Sequence, residues 1–228
     1  MPVDIVDDVG GNRRRRDLHA VQIGRRAIEI VEPAVTIARA PEAALWFPRI
    51  ASTLGAAHIL PDRPGDAYFL LEEALARTIA RELVHQRALI TVWLGEAAMA
   101  LGRVDEARQM AEQALQLSRD NDEWGHEAWS LCLLGEIASA SAPDDPESAT
   151  RLYSEAQVLG GALNMKPVVA RSLLGQGTLS GARDRSDQSQ APLVAAIAMF
   201  REMGMPFWMA RAQAVLARGS TLPTACPR

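Results

Sequence analysis

Four histidines, two cysteines and a run of four arginines are the side chains best suited to chemistry in this chain, and their spacing decides what chemistry is open to them. A metal site on a helix needs two ligands about one turn apart. His19, His58, His85 and His126 stand in different parts of the chain, with no second histidine at that spacing, so no metal site is expected. Cys132 and Cys226 supply neither a disulfide framework nor a cysteine metal centre. Cys132 is flanked by leucines, the setting of an inert core or groove-lining thiol rather than an activated nucleophile. Serine, Cys132 and histidine form no recognisable nucleophile motif, and no glycine-rich phosphate loop ending in Gly-Lys-Ser or Gly-Lys-Thr occurs. The expectation is a non-enzymatic chain with no catalytic residue, cofactor or metal.

Charge narrows the partners. Arg13-Arg14-Arg15-Arg16 follow Asp4, Asp7 and Asp8, and the whole chain carries a net charge of −4. General nucleic-acid binding needs a field dominated by Lys and Arg, so nucleic acid is not the expected partner. No apolar run approaches the roughly 18 to 20 residues that span a bilayer. The first residues, MPVDIVDDVGG, lack the basic start and apolar stretch of a secretory signal, and two cysteines suit a reducing compartment. A cytoplasmic protein without membrane contact is expected, with residues 1–24 as a flexible lead-in.

The elements that position these residues read as helices throughout. From Arg25 the apolar residues Ile28, Val31, Val35 and Ala38 recur every three or four positions, one stripe on a helix. Further helices are predicted at Glu42–Leu60, Asp66–Leu83, Gln86–Leu101, Val104–Arg119, Trp124–Ala140, Glu147–Leu159, Pro167–Leu179, Gln190–Glu202 and Pro206–Arg218. Gly102-Arg103 and Gly160-Gly161 are helix-closing turns by composition, and residues 219–228 read as a frayed tail. No stretch shows sustained strand-like alternation.

A period organises the helices. Leu54-Gly55, Leu94-Gly95, Leu134-Gly135 and Leu174-Gly175 recur at one constant interval. Ala27, Ala67, Ala107, Ala149 and Ala191 open the second helix of each unit, and Ala34, Ala74, Ala114, Ala156 and Ala198 follow two helical turns later. Small residues at these places let paired helices approach closely, and the leucine fills the space beside them. Helix pairs at a fixed period mean a solenoid.

This triple of small positions resembles the tetratricopeptide repeat, most fully at Leu94-Gly95, Ala107 and Ala114. The period of 40 exceeds the family's usual one, so helices or turns are longer, and the proline that normally ends the second helix is missing. The strings LWFPRIASTLG, VWLGEAAMALGRVDEA, GHEAWSLCLLGEIA and FREMGMPFWMARAQAVLA look like the C-terminal helical region of bacterial proteins that join a nucleotide cyclase domain, an AAA-type ATPase and tetratricopeptide repeats. The resemblance implies an all-α, right-handed α-solenoid over residues 25–218: four helical hairpins between two unpaired helices. It carries none of the relatives' catalytic motifs.

Family geometry implies a groove lined by first helices. The residue after each glycine gives Ala56, Glu96, Glu136 and Gln176, with Arg49, Trp129, Val169 and Arg211 along the same trough. Two carboxylates and an amide suit a basic or amide-rich peptide, the alternative being an ordinary solvated face. Trp46, Trp93, Trp124, Trp129 and Trp208 are expected to brace unit against unit. The function implied is a protein-interaction scaffold in bacterial signal transduction. The alternatives are a regulatory fragment of a cyclase or ATPase signalling protein, and a small-effector sensor. The stripe Ile28, Val31, Val35 is expected to be partly uncovered and to recruit another copy of the chain, giving a homo-oligomer through the N-terminal helix.

Overall fold

The computed structural model describes residues 28–59, 63–142, 145–183 and 187–220, and every regular element among them is helical. After α1 (28–38) and a 3-10 turn at Pro41–Ala43 come α2 (Phe47–Ile59), α3 (Pro64–Ala80), α4 (Val84–Ala100), α5 (Val104–Asp120) and α6 (Trp124–Ser141). They are followed by α7 (Pro146–Ala162), α8 (Lys166–Arg183), α9 (Asp187–Glu202) and α10 (Pro206–Ser220). Hairpins α2–α3, α4–α5, α6–α7 and α8–α9 thus stand between single helices α1 and α10. The lead-in expected at 1–24 lies outside the described residues, as do residues 221–228 of the expected tail.

The period has a simple physical content. Helices α3, α4 and α5 have one common length and start at 64, 84 and 104, so the turns between them are also equal. Five turns close alike: Glu82, Gly102, Asp122, Asn164 and Gly204 take φ between 55° and 75°. The next N–H reaches the carbonyl five residues back, from Leu83 to Thr78 at 3.0 Å, Arg103 to Ala98 at 2.9 Å and Glu123 to Ser118 at 2.8 Å. Met165 to Gly160 at 2.8 Å and Met205 to Phe200 at 2.9 Å complete the set of Schellman caps. The turn expected at Gly160-Gly161 falls later, because α7 continues to Ala162 and Asn164 supplies the left-handed residue. Gly160 serves packing instead: a Cβ there would lie 3.2 Å from Val168 Cγ1.

Contacts divide the chain into two compact units, Met1–His126 and Glu127–Arg228, within the stretch expected as one domain. In the first, α2 packs on α3, α3 on α4, α4 on α5, and α2 also meets α4. This neighbour-on-neighbour order, with first helices touching, is α-solenoid packing. Helices α3 and α5 each bury one stripe, Ala67, Leu71, Ala74, Thr78 and Ala107, Ala111, Ala114, Ser118, as amphipathic outer helices do. Helix α4 buries residues around most of its circumference, from Ala88 to Ala98, and is an inner helix. A Cβ on Gly55 would sit 2.6 Å from Leu71 Cγ, so the glycine is the notch that admits the leucine.

The expected uncovered stripe on α1 is corrected here. Ile28, Val35 and Ala38 are 6%, 6% and 1% exposed and belong to the core formed with Phe47, Leu54 and Leu71. The hairpin α2–α3 covers that face. What stays open is the other side of α1, where Ile30 and Ile37 are 70% and 68% exposed. Trp46 and Trp124, expected as braces, are also mostly exposed, whereas Trp93 packs against the core.

In the second unit α6 is buried nearly all round, and the ring of Tyr153 on α7 lies between Gly135 of α6 and Gly175 of α8. A Cβ on either glycine would collide with that ring. Helices α7 and α8, α8 and α9, and α9 and α10 pack in turn, and α8 meets α10. The last hairpin departs from the expected alanine register. Ala191 and Ala198 are exposed, while Leu193, Ala196 and Phe200 are buried. The notch for Leu193 is Gly177, where a Cβ would lie 2.5 Å from Leu193 Cγ, and the interval from glycine to leucine equals that from Gly55 to Leu71. Helix α9 carries alanines at 191, 195, 196 and 198, so an alanine is found in several phases and only packing selects one.

Candidate functional site

One turn before each recurring glycine stand Ala51, Thr91, Leu131 and Arg171, all buried. The first three are ordinary packing residues. An arginine at the same depth is costly unless its charge and donors are met. The side chain of Arg171 is 6% exposed. Its Nη2 donates to Glu136 Oε1 at 2.7 Å and its Nε to the same oxygen at 3.2 Å. Its guanidinium lies 4.5 Å from the ring centre of Trp208 and 5.2 Å from that of Trp129. Each such cation–π contact contributes about 0.5 to 2 kcal/mol, the larger figure where water is excluded.

Helix geometry assembles the site. Trp129 and Glu136 are two turns apart on α6 and so share a face; Arg171 comes from α8, and Trp208 and Arg211, one turn apart, from α10. Trp208 stacks on Phe200 with centroids 6.2 Å apart, and meets Phe207 edge-on at 5.3 Å. The Arg211 guanidinium lies 5.4 Å over the same indole. Trp129, Glu136 and Trp208 are half-buried, while Arg211 is exposed. Beneath them burial, and then the Glu136 carboxylate, push the Tyr153 phenol well above its ordinary range, opposed by a hydrogen bond with Ser139 and by Arg171. The phenol is neutral and shares a 3.2 Å hydrogen bond with Ser139 Oγ. Arginine does not deprotonate in proteins, so this assembly offers indole faces and a fixed cation rather than acid–base chemistry.

Of the six expected groove residues, the structure brings Trp129, Glu136 and Arg211 together around Arg171 and Trp208. Gln176, half-buried on α8, instead donates to Ser154 Oγ of α7 at 3.1 Å. Arg49, exposed on α2, and Glu96, half-buried on α4, belong to the first unit. Arg171 is the residue that sequence reasoning missed. Its signal was present as a charge in a register otherwise filled by Ala51, Thr91 and Leu131. Arg211, one full period further on, shares that register.

A second polar cluster also escaped the spacing argument. Glu123 meets His126 Nδ1 at 3.1 Å and His85 Nδ1 at 3.6 Å, joining adjacent turns of the first unit. His85 stands in the first turn of α4 and Glu123 just after α5, far outside any one-helix spacing. No described group of three or more His, Cys, Asp or Glu side chains could hold a metal ion. An open depression of about 360 Å³ is lined by Pro146, Glu147, Thr150, Arg151, Leu179 and Ser180, none of them a member of the aromatic cluster. No described helix is long and apolar enough to cross a membrane.

Comparison with known proteins supports the fold. None of the curated proteins matches the chain. The crystal structure of BtubC (BKLC) from P. vanneervenii is similar with a TM-score of 0.54 at 19% identity, covering 93% of this chain and 95% of that one. At that identity the likeness concerns the fold alone. Residues 86–157, which span α4, α5, α6 and part of α7, match the tetratricopeptide repeat family. This match supports a tetratricopeptide repeat region over residues 86–157.

Proposed function

We propose that the chain is a non-enzymatic protein-interaction scaffold whose docking site is the face of the second unit built from Trp129, Glu136, Trp208 and Arg211 over Arg171. Tetratricopeptide repeats suggest such a scaffold. The observation that carries the site is the buried Arg171, which fixes two half-buried indoles in place before any partner arrives. Rigid, partly exposed aromatic groups are the commonest anchors of protein interfaces, because they offer a large contact area and lose little entropy on binding. The occupant is a peptide segment that lays an apolar side chain on the indoles.

A basic segment, suggested by Glu96 and Glu136 in the sequence, gains less from Glu136 than a free carboxylate would give, since Arg171 already holds that oxygen. The module's place in bacterial signal transduction, whether as a free-standing cytoplasmic protein or as the regulatory fragment of a cyclase or ATPase protein, rests on the resemblance of the four strings quoted above.

Affinity capture from the native cell tests the reading, comparing the wild-type chain with Trp129→Ala and Trp208→Ala. A partner retained by wild type and weakened at least tenfold by either substitution, with helical content unchanged, supports it. A partner held equally by all three places the docking site elsewhere.

A further inference from the structure

The open depression of about 360 Å³ in the second unit lies where α7 begins and α8 ends. Helices α7 and α8 are joined by the short turn 163–165 and pack on each other as an antiparallel hairpin. The first turns of α7, with Pro146, Glu147, Thr150 and Arg151, therefore share a wall with Leu179 and Ser180 near the end of α8. A volume of this size is in the range of small-ligand sites. Pro146, buried, and Leu179, half-buried, supply its apolar surface.

The polar lining is rich in acceptors. A hydroxyl has one hydrogen to donate and two lone pairs to accept with. Thr150 Oγ1 donates its hydrogen to the Pro146 carbonyl at 2.7 Å, and Ser180 Oγ donates its own to the Gln176 carbonyl at 3.0 Å. Both oxygens are left as acceptors. Among the described residues no hydrogen bond or ion pair engages the exposed Glu147 carboxylate, although Arg151 stands one turn later on the same helix. Arg151 Nε instead lies 3.9 Å from Glu155 Oε1, further along α7. The start of α7 alone would favour an anion. Asp145 already accepts from Ser148 N there at 3.4 Å, Glu147 adds a second carboxylate, and the carbonyl end of α8 alongside favours a cation.

We propose that this depression binds a protonated primary amine on a short alkyl chain, either a free aliphatic amine or the lysine side chain of another protein. The ammonium group, with three donors and no acceptor, meets the Glu147 carboxylate and the hydroxyl oxygens of Thr150 and Ser180. The alkyl chain lies on Pro146 and Leu179, as lysine stems lie on apolar surface elsewhere. The site shares no residue with the aromatic docking face, so the two stand or fall separately.

Titration of the isotopically labelled 228-residue chain with pentylamine at neutral pH, followed by amide chemical shifts, tests this. Saturable shifts are expected around 146–151 and 176–180, with a dissociation constant in the millimolar range. Pentanol, which has the same chain without the charge, and valerate, which carries the opposite charge, should bind at least threefold more weakly. Glu147→Gln should weaken pentylamine binding at least threefold, and Arg151→Gln, which removes a nearby like charge, should not weaken it. Both residues are exposed, and circular dichroism checks that each variant is folded. Nα-acetyl-lysine methylamide distinguishes the sources: binding as tight as that of pentylamine assigns the site to a lysine of another protein, and binding at least threefold weaker assigns it to a free amine. An absence of saturable shifts, equal binding of pentanol, or Glu147→Gln binding pentylamine undiminished would each overturn the proposal.

Discussion

Ala111 and Tyr153 hold the same place in consecutive second helices, one turn after the alanines Ala107 and Ala149, and Thr91 and Arg171 hold the same place in first helices. In the first unit these places take Leu71 and Ala111 on the second helices and Ala51 and Thr91 on the first, all uncharged, and the Thr91 hydroxyl is satisfied within its own helix by the Arg87 carbonyl at 2.7 Å. In the second unit the same register admits a phenol wedged against two glycines and a guanidinium held by a carboxylate and two indoles. The repeat fixes backbone spacing and leaves the contents of each place to the residue found there. Where the contents become large and charged, neighbours from three helices must adjust, and a specific surface results.

Replacing the largest of these contents should have the largest effect. Tyr153→Ala is expected to destabilise the second unit by about 3 to 5 kcal/mol in urea titrations, because it empties the space between Gly135 and Gly175. A loss under about 1 kcal/mol would mean that the helices close up around an alanine there as they do around Ala111. Next comes Arg171→Leu, which gives α8 the residue that α6 has at Leu131. A loss of about 1 to 3 kcal/mol is expected, because Glu136 is left half-buried without its cation. Glu136→Leu added to it should recover most of that loss, and a double-mutant cycle showing no coupling would remove Arg171 as the organiser of the site.

The units should also part in their response to acid. All four histidines lie at or before position 126. Within the first unit burial, and then Arg63, lower the His58 pKa, against Asp66 and Glu32. The unfolded chain therefore takes up a proton at His58 more readily than the folded one, so its contribution is intact above about pH 6.5 and is lost as pH falls below it. Thermal melts at pH 7 and pH 5 should show a smaller decrease for His58→Gln than for wild type. An unchanged decrease would assign the acid response to other groups. The smallest expected effect concerns the shared turn geometry: Glu82→Gly should stabilise by about 1 kcal/mol, because Glu82 spends a left-handed conformation that Gly102 adopts without strain. A neutral result would show that Glu82 makes a compensating contact.

Much of the fold could be read in advance because it depends on local rules. Leu-Gly pairs at a constant interval and apolar stripes at helical spacing located every helix from α2 to α10 to within a few residues at most ends. The start of α2 was misplaced from Glu42 to Phe47 because Pro41–Ala43 form a separate turn first. The register of α9 was misplaced because its alanines occur in several phases. Of the residues in the proposed docking site, Trp129, Glu136 and Arg211 were among those the sequence reading named, whereas Arg171 was not, because its contacts with Glu136, Trp129 and Trp208 come from other helices.

What the sequence determined by itself is the periodicity: helix length, turn chemistry and which residues must be small follow from backbone geometry within one hairpin. Tertiary structure decided which face of α1 stays open, which glycine receives Leu193, and that Glu136 is bound to Arg171. Those outcomes depend on side chains from different helices competing for one volume or one charge, and no local spacing rule sets which of them wins.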